Sequence, residues 1–176
     1  MISFPTRLSE IYQRLENIDP EKYSHTRNYV DGAVTYLSPY ISRGVISTKT
    51  VFNYLLEENY PFETIEKYVQ ELAWRDYWQQ VWVHKKSAIN TDLKSPQQEV
   101  QHYEIPTAIL TKSTNIKAID VAIQALEDTG YMHNHMRMYA AAAICNVGKS
   151  HWLNPARWMY YHLLDGDWAS NALSWQ

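Results

Sequence analysis

Cysteine is all but missing. Among 176 residues only Cys145 carries a thiol, which excludes an internal disulfide framework and the usual cysteine-based metal sites. It lies in the run Ala140-Ala-Ala-Ala-Ile-Cys145 and reads as a small hydrophobe. No apolar run approaches the ~18 residues of a membrane span. The start, Met1-Ile-Ser-Phe-Pro-Thr-Arg7, has no signal-peptide pattern, so a reducing, cytoplasmic setting and no membrane partner are expected. A Gly-rich phosphate loop and a dinucleotide fingerprint are both missing, which sets aside P-loop and Rossmann chemistry. His133 and His135 invite a metal reading, but residues two apart on a helix point to different sides. Asp165-Gly-Asp167 offers too few ligands for calcium, so no metal is expected. A net charge of −3 argues against binding nucleic acid by whole-molecule charge, leaving only a local patch for DNA.

Aromatic residues with a polar tip are abundant instead: seven Trp and fourteen Tyr against three Phe. Such side chains fill helix interfaces, and they also suit surfaces that meet planar ligands or bases. The 45% hydrophobic and 20% charged fractions fit an ordinary globular chain, and its length suits one domain with a substantial core.

Helical periodicity dominates and period-2 strands are missing. Leu8, Ile11, Tyr12, Leu15 and Ile18 form one stripe of a helix over residues 6–18, with Pro20 just beyond its end. After a turn-rich passage, Ser47 or Thr48 caps a helix carrying Val51, Tyr54 and Leu55 inward. Pro61 opens the longest helix, to about Lys85. Residues 86–114 lack periodicity and read as a long surface connection. Helical spacing returns through Ile116, Ile119, Ile123 and Leu126, and Gly130 supplies the stop. A helix over 134–147 ends at Gly148. Asn154-Pro155 reads as N-cap and first-turn proline of a helix to about Leu164. The expectation is an all-α fold with residues 1–176 as one domain.

Three groups of residues stand out. Glu71, Trp74, Arg75 and Trp78 share one face of the long helix; they form either a packed salt bridge or the wall of a pocket that stacks on bases. Asn134, Arg137, Met138 and Ala141 share another face, suited to helix contact or to a flat ring system. Asp165, Gly166, Asp167 and Asn171 add polar groups between segments that should be core. Burying them costs free energy unless they pair or bind something.

Four strings are specific enough to carry a resemblance. They are Asp31-Gly-Ala-Val-Thr-Tyr-Leu-Ser-Pro-Tyr-Ile-Ser-Arg-Gly44, Glu71-Leu-Ala-Trp-Arg-Asp-Tyr77, Thr129-Gly-Tyr-Met-His-Asn-His-Met-Arg-Met138, and Asp165-Gly-Asp-Trp-Ala-Ser-Asn171 with Trp175-Gln176. In order and spacing they resemble the flavin-binding domain of the DNA photolyase and cryptochrome family. The resemblance implies an all-α domain holding FAD. It also implies light-driven electron transfer from reduced flavin to a pyrimidine dimer flipped out of damaged DNA. By the same resemblance Tyr23 and Thr35, Tyr36, Leu37 and Ser38 hold the flavin phosphates, which hydroxyls and backbone N–H groups can do without a lysine. Asp165, Gly166 and Asp167 line the ring and ribityl region, Arg137 pairs with Asp165, and Asn171 lies near the flavin N5. Glu71 and Asn134 correspond to the dimer-reading positions. Tyr68, counted among the cofactor positions, also forms apolar walls with Trp74 and Met138. Arg27 and Arg75 meet phosphates or the pocket rim, with His135 beside them. Trp175 and Trp152 correspond to the inner and middle members of the tryptophan chain that photoreduces the flavin.

The chain also departs from the family pattern. No tryptophan occurs in the segment 103–111, where the outer member of that chain is expected; the alternative exit is a tyrosine such as Tyr103. His135 replaces an arginine usual in bacterial dimer photolyases. No N-terminal antenna domain is expected within these residues, and further helices are expected after Gln176, supplied by a C-terminal segment or a second chain. Two other readings therefore stand beside repair: a cryptochrome-like photosensor or FAD-binding module without repair activity, and a fragment that needs a partner segment.

Overall fold

The structure, a computed structural model, describes residues 2–176. Its described residues are helical, without a strand; extended backbone pairs only at a parallel bridge between His102 and Ser150. The chain divides into two compact units, one running to Tyr77 and the other starting at Trp78.

The first unit holds α1 (Leu8–Glu16), α2 (Pro20–Thr26), α3 (Ser38–Ser42), α4 (Thr48–Glu57) and α5 (Phe62–Lys85) as far as Tyr77. Ile11 and Leu15 form the buried stripe of α1, one turn apart as helical geometry requires. Pro20 does more than follow that helix. It is the first residue of α2, with Asp19 as N-cap accepting the Lys22 N–H at 2.9 Å, because proline's missing N–H is harmless in a first turn. The α4 cap is Ser47: its hydroxyl accepts the Thr50 N–H at 2.9 Å in a reciprocal capping box. Val51, Leu55, Ile65 and Tyr68 then close over Ile11, Leu15 and Leu37 in one core cluster.

The second unit continues with a 3-10 turn (Lys86–Asn90), α6 (Thr107–Leu110), α7 (Lys117–Thr129), α8 (Asn134–Ala142), α9 (Leu153–His162) and α10 (Trp168–Ser174). Ile119, Ile123 and Leu126 of α7 pack with Met136, Ala140, Ile144 and Met159. Gly130 ends α7 at φ 69°, a left-handed conformation that costs other residues about 1–2 kcal/mol. The helix expected to reach Val147 is α-helical only to Ala142 and finishes as a π turn over Ala143–Val147. The N-cap of α9 is Trp152, not Asn154, whose Nδ2 instead donates to the Tyr103 carbonyl at 2.9 Å. Helix α10, not foreseen, starts from Asp167, which accepts the Ser170 N–H at 2.8 Å.

Residues 86–114 are more than a surface connection. Ile89 and Ile109 are buried, and side-chain hydrogen bonds anchor the segment. The Asp92 carboxylate accepts from Gln97 N–H at 2.9 Å and from the Trp152 indole at 2.6 Å. Gln97 accepts the Trp152 N–H and donates to the Ser150 carbonyl, both at 2.9 Å. Order built from individual side chains leaves no periodic trace, which is why periodicity misses it.

Candidate functional site

Within the first unit the predicted positions gather around Tyr23 and Tyr68. The two rings meet edge to face at 4.6 Å, and the Tyr68 hydroxyl donates to Thr35 Oγ1 at 3.2 Å. Burial raises the Tyr68 phenol to about 12, against a smaller lowering from Thr35. Tyr68 is therefore a core member at 4% exposure and not an open wall. Leu37 likewise points its side chain into the core, so only its backbone can face a ligand. Tyr36 adopts φ 53°, and its carbonyl accepts from Arg14 at 3.4 Å while the guanidinium lies 5.9 Å from its ring. Thr35, Tyr36 and Ser38 stay partly accessible, in the turn that leads into α3.

Glu71 forms an ion pair with Arg27 at 3.0 Å, and the Arg27 guanidinium also lies 5.9 Å from the Tyr23 ring. Side-chain exposures of 37% for Glu71 and 20% for Arg27 leave that carboxylate reachable from solvent. Arg75, expected either beside Glu71 or at the rim, donates to Ser42 Oγ at 2.7 Å. Trp74 is half exposed and sits edge to face with Tyr77 at 5.6 Å.

Within the second unit the polar groups of α8 meet those before α10. Arg137 Nη2 donates to both carboxylate oxygens of Asp165 at 2.9 Å, and its Nε donates to the Met132 carbonyl at 2.7 Å. The carboxylate is buried, so removing Arg137 would strand a charge in the core. Gly166 is buried too, and a Cβ there would lie 3.0 Å from the Tyr160 carbonyl oxygen. Asp167 accepts from Gln79 Nε2 at 2.6 Å besides capping α10. Asn171 Nδ2 donates to the Ala156 carbonyl at 2.8 Å, which leaves Oδ1 as the polar atom it offers outward. On α8, Asn134 and Met138 are exposed and His135 is half-buried. His133 precedes the helix, its Nδ1 accepting the His135 N–H at 3.2 Å.

Trp152 is fully buried, and Trp175 packs against the same small cluster with Ala156 and Ala172. Trp175 also touches the larger core cluster, and the Gln176 side chain accepts from Leu93 N–H at 3.0 Å. This unit's own residues thus hold both tryptophans. Asp92, Gln97 and His151 around Trp152 escaped the sequence reading; only the adjacency of His151 to Trp152 could have suggested any of them. Burial pushes the Asp92 carboxyl up, but the Gln97 N–H, the Trp152 indole and nearby His151 together hold it below its usual range.

The donor set suits a flavin. The first unit offers phenol and hydroxyl donors without a lysine, as a diphosphate can accept. The second offers a charge-compensated guanidinium and carboxylate with amide and carboxylate oxygens, which match the polar edge of a planar heterocycle.

The chain belongs to the family of the FAD binding domain of DNA photolyase, whose sequence profile matches residues 68–176. It is 29% identical over 186 residues to the deoxyribodipyrimidine photo-lyase of Neurospora crassa, covering 98% of this chain and 30% of that protein. Identity to the deoxyribodipyrimidine photo-lyase of Streptomyces griseus is 31% over 146 residues, covering 82% of this chain and 31% of that one. The chain thus spans about a third of the length of these relatives. Among solved structures, a bacterial class III photolyase from Agrobacterium tumefaciens superposes with a TM-score of 0.83 at 21% identity, over 96% of this chain and 37% of that one. A Synechocystis cryptochrome gives 0.83 at 23%, over 99% and 39%. At those identities the structural likeness shows the helical fold.

Proposed function

We propose that this chain holds FAD and works as the flavin-binding part of a light-driven DNA repair lyase acting on pyrimidine dimers. The observation that carries the flavin half is the buried Asp165 carboxylate paired with the partly exposed Arg137 guanidinium. A core keeps such a group when a polar ligand is built beside it, since an apolar pair of similar volume is often no less stable. In this reading Tyr23, Thr35, Tyr36, the Leu37 backbone and Ser38 bind the phosphates. Arg137, Asp165, Gly166, Asp167 and Asn171 serve the ring and ribityl chain. When bound, the flavin supplies the light-driven one-electron chemistry. Glu71 and Asn134 hydrogen-bond the flipped dimer, with Trp74 and Met138 as apolar contacts and Arg27, Arg75 and His135 toward the DNA. Trp152 and Trp175 supply electrons to the flavin.

Repair is tested by illuminating a dimer-containing oligonucleotide with blue light, in the presence of FAD, reductant and protein. Restored thymines support the proposal, and intact dimers after prolonged illumination refute it. Glu71→Gln should lower the repair yield roughly tenfold or more, since a hydrogen bond to a charged group is worth about 1.5–3 kcal/mol. The second reading, a flavin photosensor without repair, draws on the net charge of −3 and the tryptophan-free segment 103–111. It expects weak DNA association with a shallow dependence on salt, whereas phosphate contacts would make that slope steep.

A further inference from the structure

Helix α1 and the turn over residues 35–38 share one core, in which Ile11 and Leu15 pack with Leu37 and Tyr40. Arg14, one residue before the buried Leu15, is half-buried at the edge of that contact. Its guanidinium lies 5.6 Å from the centre of the Phe4 ring and 5.9 Å from those of Tyr36 and Tyr40. Nη2 donates to the Ser3 carbonyl at 2.9 Å and Nη1 to the Tyr36 carbonyl at 3.4 Å. Phe4 in turn meets the Tyr36 ring edge to face at 6.3 Å. Facing several rings while reaching two carbonyls suits a planar, forked guanidinium better than an ammonium group. Tyr36 needs such support. Among the described residues it is the only aromatic with a positive φ, at 53°, a conformation that is costly for a bulky side chain. Its neighbours are fixed separately: Thr35 Oγ1 accepts from the Tyr68 hydroxyl at 3.2 Å, and Leu37 is 1% exposed.

We propose that Arg14 is a positioning residue for the diphosphate of FAD. Through the carbonyl and ring of Tyr36 it keeps the turn 35–38 in its left-handed shape, and it acts on affinity without touching the ligand. The inference rests on the reading that this turn binds the flavin phosphates. A turn that must be ordered on binding lowers affinity by the cost of that ordering, whereas a turn already held does not. Without Arg14, Tyr36 is free to relax toward the negative φ that a tyrosine prefers. Such a change rotates the peptide groups on both sides of it, and with them the spacing of the Thr35 and Ser38 hydroxyls. Arg14 lies outside the four strings that carry the family resemblance and outside the matched residues 68–176, so no motif marks it.

The test begins on the full chain without flavin, by amide hydrogen exchange. The N–H groups of Tyr40 and Ile41 bond the Leu37 carbonyl at 3.0 and 3.1 Å, so their exchange reports on the turn. Arg14→Met should speed exchange there while peptides of α7 and α9 keep the parent rate, which also shows that the variant is folded. FAD is then titrated by the quenching of its fluorescence. Arg14→Met should weaken binding roughly tenfold, the scale of unsupported backbone strain. Arg14→Lys should weaken it similarly, because the charge stays but the fork is lost, and it carries the test if the Met variant does not fold. In a Tyr36→Gly chain, where a left-handed backbone carries no steric penalty, adding Arg14→Met should change affinity by less than about threefold. Parent affinity in Arg14→Lys, or a full Arg14→Met effect in the Tyr36→Gly chain, would show a direct charge contact with the phosphates and overturn the positioning role. Unchanged exchange at Tyr40 and Ile41 overturns it as well. If exchange rises there while FAD affinity stays at the parent value, Arg14 holds the turn and the assignment of that turn to the flavin phosphates fails.

Discussion

The Asp165 carboxylate is buried and relies on the Arg137 guanidinium, which is itself partly open to solvent. Arg137 has a second anchor, its Nε donating to the Met132 carbonyl at 2.7 Å, whereas the buried Asp165 carboxylate receives its charge-compensating bonds from Arg137. Arg137→Met should therefore destabilise the chain by about 3–5 kcal/mol, the typical cost of stranding one buried charge. Arg137→Met combined with Asp165→Leu should recover much of that loss in urea unfolding. If the double variant were as unstable as the sum of the two single ones, the charges would not be coupled. The same logic applies to Arg27 and Glu71, with a smaller expectation. Their ion pair is partly open to solvent, so Arg27→Met should cost under about 1 kcal/mol of stability while weakening substrate binding. Measuring stability and dimer affinity on one preparation separates the two effects.

Helix ends decide where the polar groups of the second unit sit. Gly130 combines a left-handed backbone with a close neighbour: a Cβ there would lie 2.5 Å from Leu164 Cγ, while Leu164 N–H donates to the Gly130 carbonyl at 2.8 Å. Gly130→Ala should lower stability by at least about 1–2 kcal/mol, measured as a fall in melting temperature. Asp167→Ala removes both the α10 cap and the Gln79 bond, and should cost about 1 kcal/mol for the cap alone. These elements differ in how plainly they could be read. Ile11 and Leu15 of the α1 stripe, the α4 cap as one of Ser47 and Thr48, and the Gly130 stop were legible because each follows from a local rule on neighbouring residues. Leu8 and Tyr12, assigned to the same stripe, are exposed. Helices α2 and α10 were not: both begin at an aspartate whose capping role shows only once the chain beyond it turns helical. Of the site, Arg137 and Asp165 could be matched by resemblance. Asp92 and Gln97 could not, since the Trp152 they hold lies more than fifty residues away in sequence.

At the scale of the whole chain, acid and alkali act through different groups. Asp92 is depressed relative to its ordinary 3.8, so its stabilisation is complete above that pH and is lost as pH falls through its lower folded value. Asp92→Asn should flatten the acid limb of a stability profile measured by urea midpoints. Tyr68 rises from 10.0 to about 12, and its contribution is complete below pH 10 and lost as pH climbs toward 12. Cys145, raised by burial from 9.0 to about 11, acts the same way between those values, so Tyr68→Phe and Cys145→Ala should each remove part of the alkaline loss. Added FAD should raise the melting temperature, because a ligand at 100 times its Kd stabilises the folded form by about 2.7 kcal/mol. A colourless protein whose melting temperature ignores FAD would contradict the flavin proposal.

The π turn at Ala143–Val147 has a consequence for phase. Its Gly148 N–H reaches back to the Ala143 carbonyl at 2.9 Å, one residue further than an α-helix allows. Each residue in a helix turns the chain by about 100°, so the turn acts as a spacer that rotates everything after it. Deleting the exposed Asn146 would let the segment close as a regular helix and carry Ser150 and Trp152 round by about that angle. The Ser150 hydroxyl would leave the Glu104 carbonyl it meets at 2.7 Å, and the indole would leave Asp92. Far-ultraviolet helicity should survive that deletion while the tryptophan signal in near-ultraviolet circular dichroism collapses. In this stretch the number of residues, as much as their identity, aims the side chains.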